Sequence, residues 1–240
     1  MKFLPLKVHP RLFAMLALSF VIATIVGTVS HEAGHCTVAK ALGYDVELHY
    51  ASMDNSNYFE EHDLETYYDK HIDKIMSKES SLEKATFTNL YETGKKESLL
   101  IILGGPLQTM ITGTIGIVWL WYHRKKIMAK TELSVKEWFA VFIAFFWSRQ
   151  IINELICIYE YVVHGAILPN GDEAKISRQW DLPVNTINIV TGIIGTVLLI
   201  WVTFSIIPKQ QRFSFILAGV AGSALGVVIW FMWVGPIILP

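Results

Sequence analysis

The residues best equipped for chemistry stand together near the amino-terminal third of the chain: His31-Glu32-Ala33-Gly34-His35. On a helix, residues four apart share a face, so both imidazoles can reach one metal ion. Glu32 follows the first imidazole and can serve as the base toward water activated by that ion. Burying His, Glu and His at the edge of an apolar helix is costly unless they have partners. Their spacing points to a ligand pair and a base rather than to two unrelated helix-end histidines.

A catalytic zinc site keeps three protein ligands and one open position. The third ligand has to come from elsewhere in the chain. On the same side of the membrane the candidates are Asp172, Glu173, His164, Glu160 and the histidines His49, His62 and His71. Pro169-Asn170-Gly171 is a turn sequence that would present Asp172 at a helix start, where an aspartate also serves as a cap.

A second concentration of polar residues falls inside an apolar stretch: Ser148, Arg149, Gln150, Asn153, Glu154 and Glu160, ahead of His164. Ionisable groups at membrane depth face a bundle interior or a water-filled cavity. Gln150, Asn153, Glu154 and Cys157 are expected on about one face. There they either tie helices together or serve the site, with Asn153 a donor to a developing oxyanion.

These groups must be positioned by membrane helices. Of 240 residues, 52% are hydrophobic and 17% charged, with mean hydropathy +0.41. Soluble domains carry about 25% charged residues, so this chain cannot cover a globular surface. The formal net charge of −1 leaves no basic footprint for nucleic acid. Cys36 and Cys157, both in apolar surroundings, exclude a disulfide scaffold and read as small apolar fillers.

Apolar stretches at roughly 12–30, 98–122, 138–163, 183–207 and 213–234 each reach the length of about 20 residues needed to cross a bilayer. The expected fold is an all-α polytopic membrane protein of about five transmembrane helices. Residues 1–44 form the first helix, uncleaved and carrying the His-Glu-x-x-His motif. Residues 45–97 form a small soluble insert with a short strand near Val46–Tyr50. Residues 98–240 form a four-helix region with the third-ligand loop at 165–182. The insert holds thirteen Asp and Glu against six Lys. Nineteen apolar residues before His31 make about 28 Å of helix, which puts the motif near the far edge of the hydrocarbon, within reach of water.

Short loops set orientation through Lys and Arg. The amino terminus, loop 123–137 and loop 208–212 carry ten between them and fall on one side of a five-span chain, against Lys175 and Arg178 in loop 165–182. The amino terminus is expected in the cytoplasm, the insert outside, and the protein in the cell membrane. Gly219, Gly222, Ala224 and Gly226 in the last stretch permit close helix contact.

The His-Glu-x-x-His at the end of a membrane helix, followed by Ala39-Lys40-Ala41-Leu42-Gly43-Tyr44, resembles the site-2 protease family of intramembrane zinc metalloproteases. Leu103-Gly104-Gly105-Pro106-Leu107 looks like that family's Gly-Pro-Leu segment. The Asp in a Pro- and Gly-rich stretch looks like its third-ligand motif, and Val46–Tyr50 sits where the family places edge strands. The resemblance covers about residues 12–50, 98–115 and 165–180.

It implies that His31, His35 and Asp172 ligate Zn²⁺ and that Glu32 is the base. It also implies intramembrane or juxtamembrane peptide hydrolysis, with a membrane-protein helix or its juxtamembrane end, unwound locally, as the substrate. Gly105 and Pro106 would then break the second span beside the site and open access. There are departures from the pattern. Gly171 precedes Asp172 and Glu173 follows, where the family has Asp-Gly, which keeps Glu173 as the alternative ligand. Gln108 and Thr109 stand where the family often has Asn. Many members carry the site on the cytoplasmic side, whereas the charge count here places it outside. The competing functions are a divalent-metal transporter or sensor, and an inactive relative that binds partner helices.

Overall fold

The computed structural model describes residues 6–54, 64–165 and 171–240. Its first helix, α1, spans Pro10–Ala41. Pro10 suits a first-turn position, where its missing N–H is not needed. The helix ends where Gly43 takes a positive φ of 98°, a left-handed conformation that glycine adopts at little cost. The chain then forms a two-stranded antiparallel hairpin, β1 (Glu47–Leu48) and β2 (Met53–Asp54), with Glu47 opposite Asp54. Cys36, Ala39, Tyr44, Val46 and Ile101 pack together beneath it.

Helix α2 covers Leu64–Met76, and α3 runs from Leu82 to Met128. Ser81 Oγ accepts the Lys84 amide at 3.1 Å and starts α3. At 47 residues, α3 is about 70 Å long, roughly twice what a bilayer core needs. Its first turns therefore stand in water with α2 against them, and its remainder crosses.

The third span is α4 (Val135–Ala144), one 3₁₀ turn (Phe145–Trp147) and α5 (Ser148–His164). Ser134 and Glu137 start it with a capping box. The short helix α6 is Asp172–Gln179. The fourth span is α7 (Thr186–Trp201), widened into a π-helical turn at Val202–Ile206. The fifth is α8 (Lys209–Val228), a π-helical segment Ile229–Val234 and α9 (Gly235–Ile238).

Among the described residues, five helices are long and apolar enough to cross a membrane: Pro10–Ala41, Leu82–Met128, Val135–His164, Thr186–Ile206 and Lys209–Ile238. The protein is an all-α polytopic membrane protein with a small two-stranded sheet, and a lipid bilayer is its environment. The spans overrun the apolar windows at several ends, because the helices go on past the last apolar residue. The fifth starts at Lys209, directly after Pro208, rather than at Phe213.

The ends are tied across the bundle. The His9 amide donates to Ser214 Oγ at 2.9 Å, and the Leu133 amide to Gln211 Oε1 at 3.2 Å. The amino-terminal segment, the loop before α4 and the start of α8 thus share one end. At the other end the Tyr50 amide donates to Leu239 O at 2.9 Å, and Trp230 Nε1 donates to Tyr50 O at 2.8 Å.

Close approach of α1 to its neighbours positions the motif. A Cβ on Gly222 of α8 would lie 2.4 Å from Ala17 O. Where α1 crosses α3, a Cβ on Gly34 would lie 2.6 Å from Gly104 O, and one on Gly104 would lie 2.6 Å from Gly34 O. Small residues let backbones meet in this way. The glycines of the α3 segment therefore bring α1 in, and they do not break the span: α3 is continuous through Gly105 and Pro106, contrary to the expected break.

Candidate metal centre

His31 and His35 lie one turn apart on α1, and both rings point at α3. Asp172 reaches them from the first turn of α6, where a carboxylate is favoured by the helix dipole. His31 Nε2 is 3.0 Å from Asp172 Oδ2, His35 Nε2 is 3.2 Å from the same oxygen, and the two Nε2 atoms are 3.2 Å apart. Pro169 and Asn170, the expected turn residues, lie outside the described residues; Gly171 is the N-cap of α6.

The other ring nitrogens decide what this triangle can hold. His35 Nδ1 is 2.7 Å from the Ile101 carbonyl oxygen, which can only accept, and 3.3 Å from the Gly105 amide; the shorter contact makes Nδ1 the protonated nitrogen. His31 Nδ1 is 3.0 Å from Thr109 Oγ1, and the Thr109 hydroxyl donates to Gly105 O at 3.1 Å. The hydroxyl is thus left to accept from His31 Nδ1–H. Both Nε2 atoms then present bare lone pairs to each other and to a carboxylate oxygen.

Three acceptors within 3.2 Å and no donor among them is an arrangement that a cation satisfies. The centre of such a triangle is nearer each corner than the roughly 2.0–2.1 Å of a zinc–nitrogen bond, so an ion fits against one face of it.

Gly105 leaves the room. A Cβ built there would lie 2.3 Å from His35 Nε2 and 2.6 Å from His31 Nε2. His31, His35 and Asp172 are the one group of three or more His, Cys, Asp or Glu among the described residues that could hold a metal ion. The imidazole side chains are 1% and 9% exposed and Asp172 is 23% exposed, so solvent enters from the carboxylate side.

Glu32 is buried beside His31, and its Oε1 is 3.8 Å from Arg149 Nη2 of α5. Glu173 turns away from the triangle. Its two carboxylate oxygens each accept from Asn153 Nδ2 at 3.1 Å, and burial pushes its carboxyl above the ordinary value. Asn153 therefore faces α6. Gln150, Glu154 and Cys157 pack on α7: Thr191 Oγ1 donates to Gln150 Oε1 at 3.0 Å, Asn188 Nδ2 donates to Cys157 Sγ at 3.3 Å, and Gly192 lies against the Glu154 side chain.

The remaining candidate ligands are elsewhere. His49 bonds the Pro240 carbonyl, His71 lies against Tyr67, and His164 is exposed near Tyr159. Glu160 is not in the cluster, and His62 lies outside the described residues. Cys36 and Cys157 are both buried and free.

Sequence reasoning missed Thr109, the Ile101 carbonyl and the Arg149–Glu32 pair. A backbone carbonyl leaves no trace in a sequence. Thr109, four residues after Gly105, could have been found as the next residue of α3 on the face that meets α1. Comparison with models of protein families, with curated proteins and with solved structures finds no match to this chain.

Proposed function

We propose that the protein is a zinc metalloendopeptidase of the cell membrane. It hydrolyses peptide bonds of membrane-protein substrates at or within the bilayer, as in the site-2 protease family that its motifs resemble. The observation that carries this reading is the pair of imidazole Nε2 atoms facing the Asp172 carboxylate beside the space that Gly105 leaves. Next to them stands a buried glutamate in the His-Glu-x-x-His position of a base.

His31, His35 and Asp172 would hold the zinc. When bound, zinc supplies a Lewis acid that brings the pKa of water toward about 7 and polarises a carbonyl. Glu32 takes the proton from the attacking water and delivers it to the leaving amine nitrogen. Arg149 holds the Glu32 carboxylate by charge from 3.8 Å. Thr109 and the Ile101 carbonyl fix the imidazole tautomers, so that Nε2 faces the metal. Asp172, the exposed corner, borders the path of water. A helical substrate has to unwind at the cleaved bond, because a helical carbonyl is hydrogen-bonded and hidden.

Divalent-metal transport is the competing reading. It needs ligands along the depth of the membrane, and among the described residues the metal-ligating groups converge at one level. Glu32→Gln separates these readings. The variant retains zinc and loses cleavage of a membrane-helix substrate that the wild type cuts. Cleavage by the variant would remove Glu32 from the mechanism, and a zinc-loaded wild type that cuts nothing would be a binding protein.

A further inference from the structure

A cavity of about 350 Å³ lies beside the metal centre, between α1, the third span and the fifth. Its volume is at the lower end of the roughly 300–1,000 Å³ typical of small-molecule sites. Three polar side chains on its wall each touch a residue of the proposed chemistry. Thr109 meets His31, Arg149 meets Glu32, and Asn153 meets Glu173 beside Asp172. The rest of the wall carries small hydroxyls, of which Thr24 and Thr28 bond the backbone of their own helix, and is otherwise apolar, with Phe20, Phe142, Phe145, Ile152 and Val227.

The peptidase reading underlies the next step. We infer that this cavity is the pocket for a large apolar side chain of the substrate, next to the bond that is cut. Its contents are set by its walls: an aromatic or branched aliphatic group finds partners there, and a charged group finds none beyond the rim. Arg149 Nε is buried and has no acceptor among the described residues. Its N–H is left for a backbone carbonyl of the bound segment, because an unmet buried donor is costly. The contacts of Thr109 with His31 and of Arg149 with Glu32 are what assign the pocket to substrate rather than to a resident lipid chain.

Gly27 provides the means to close the pocket without touching the metal. It lines the cavity, and a Cβ built on it meets nothing within 4 Å. The probes are acetohydroxamate and a hydroxamate carrying a phenylpropyl tail, titrated into full-length protein loaded with Co²⁺ and read by the visible absorption of the ion.

In the wild type the tail strengthens binding relative to acetohydroxamate. In Gly27→Phe that ratio falls by about tenfold, the worth of burying one such group, and in Gly27→Leu it falls by less. Partition of the tail into detergent or lipid is common to all three proteins and cancels. An unchanged cobalt spectrum without ligand shows that each variant is folded.

Equal ratios in the three proteins would overturn the pocket. So would a lipid copurifying one to one with the wild type and absent from Gly27→Phe. Acetohydroxamate binding that persists in either case leaves the peptidase reading standing. Failure of acetohydroxamate to perturb the wild-type spectrum would instead remove the open metal position on which that reading depends.

Discussion

Gly105 and His35 stand so close that a methyl group on Gly105 would lie 2.3 Å from His35 Nε2. The volume a side chain would fill is the volume an ion needs. A glycine in an α-helix costs about 1 kcal/mol relative to alanine, and here that cost keeps the face of α3 open toward two imidazoles.

Gly105→Ala should therefore improve local helix propensity and still destroy the site. The expected result is unchanged helix content by circular dichroism, with zinc affinity reduced by about tenfold or more, the scale of losses when a ligand's surroundings are disturbed. Equilibrium dialysis against a chelator measures it. Retention of wild-type affinity would place the ion away from this face.

Thr109 accepts from His31 Nδ1–H and donates to the Gly105 carbonyl. Thr109→Val keeps the shape and removes the acceptor, so the imidazole loses the bond that fixes its tautomer. Zinc affinity should fall by about 10–100-fold in Thr109→Val and be restored in Thr109→Ser. A serine variant as weak as the valine variant would show that the methyl group, not the hydroxyl, is what matters.

The adjacent acids of α6 are separated by their contacts. Asp172 Oδ2 lies within 3.2 Å of both imidazoles, while Glu173 is held by Asn153. Asp172→Ala should cost most of the zinc at equilibrium, and Glu173→Gln should keep it, because an amide can still meet Asn153. The reverse order in a metal titration would make Glu173 the ligand.

The part of this site legible in the sequence was the part that is local. His31, Glu32 and His35 are fixed by the pitch of one helix, so their spacing states their geometry. Asp172 sits 137 residues beyond His35 in the chain, and no periodicity connects them; the turn sequence made it a candidate, and the resemblance chose it among several. The residues that complete the site, Gly105, Thr109 and the Ile101 carbonyl, depend on how α3 crosses α1, which is set by the Gly34–Gly104 contact. Gly105 was noticed for the wrong reason, as a helix breaker.

The polar residues of the third span were visible as a group. Their division, with Arg149 and Asn153 toward the site and Gln150 and Glu154 toward α7, was not, because it rests on how α5 is rotated between two neighbours. The five spans were legible because lipid demands long apolar runs. Their ends were not, because a helix such as α3 continues into water.

The central claim is that two imidazoles and one carboxylate hold a catalytic zinc ion. X-ray absorption at the zinc edge of the purified full-length protein tests it most directly. The account predicts about one zinc per chain, with a first shell of nitrogen and oxygen at about 2.0–2.1 Å that includes two imidazole rings and no sulfur. Either a protein that holds no zinc after purification without chelators, or one whose zinc shell contains sulfur or a single imidazole, would contradict it.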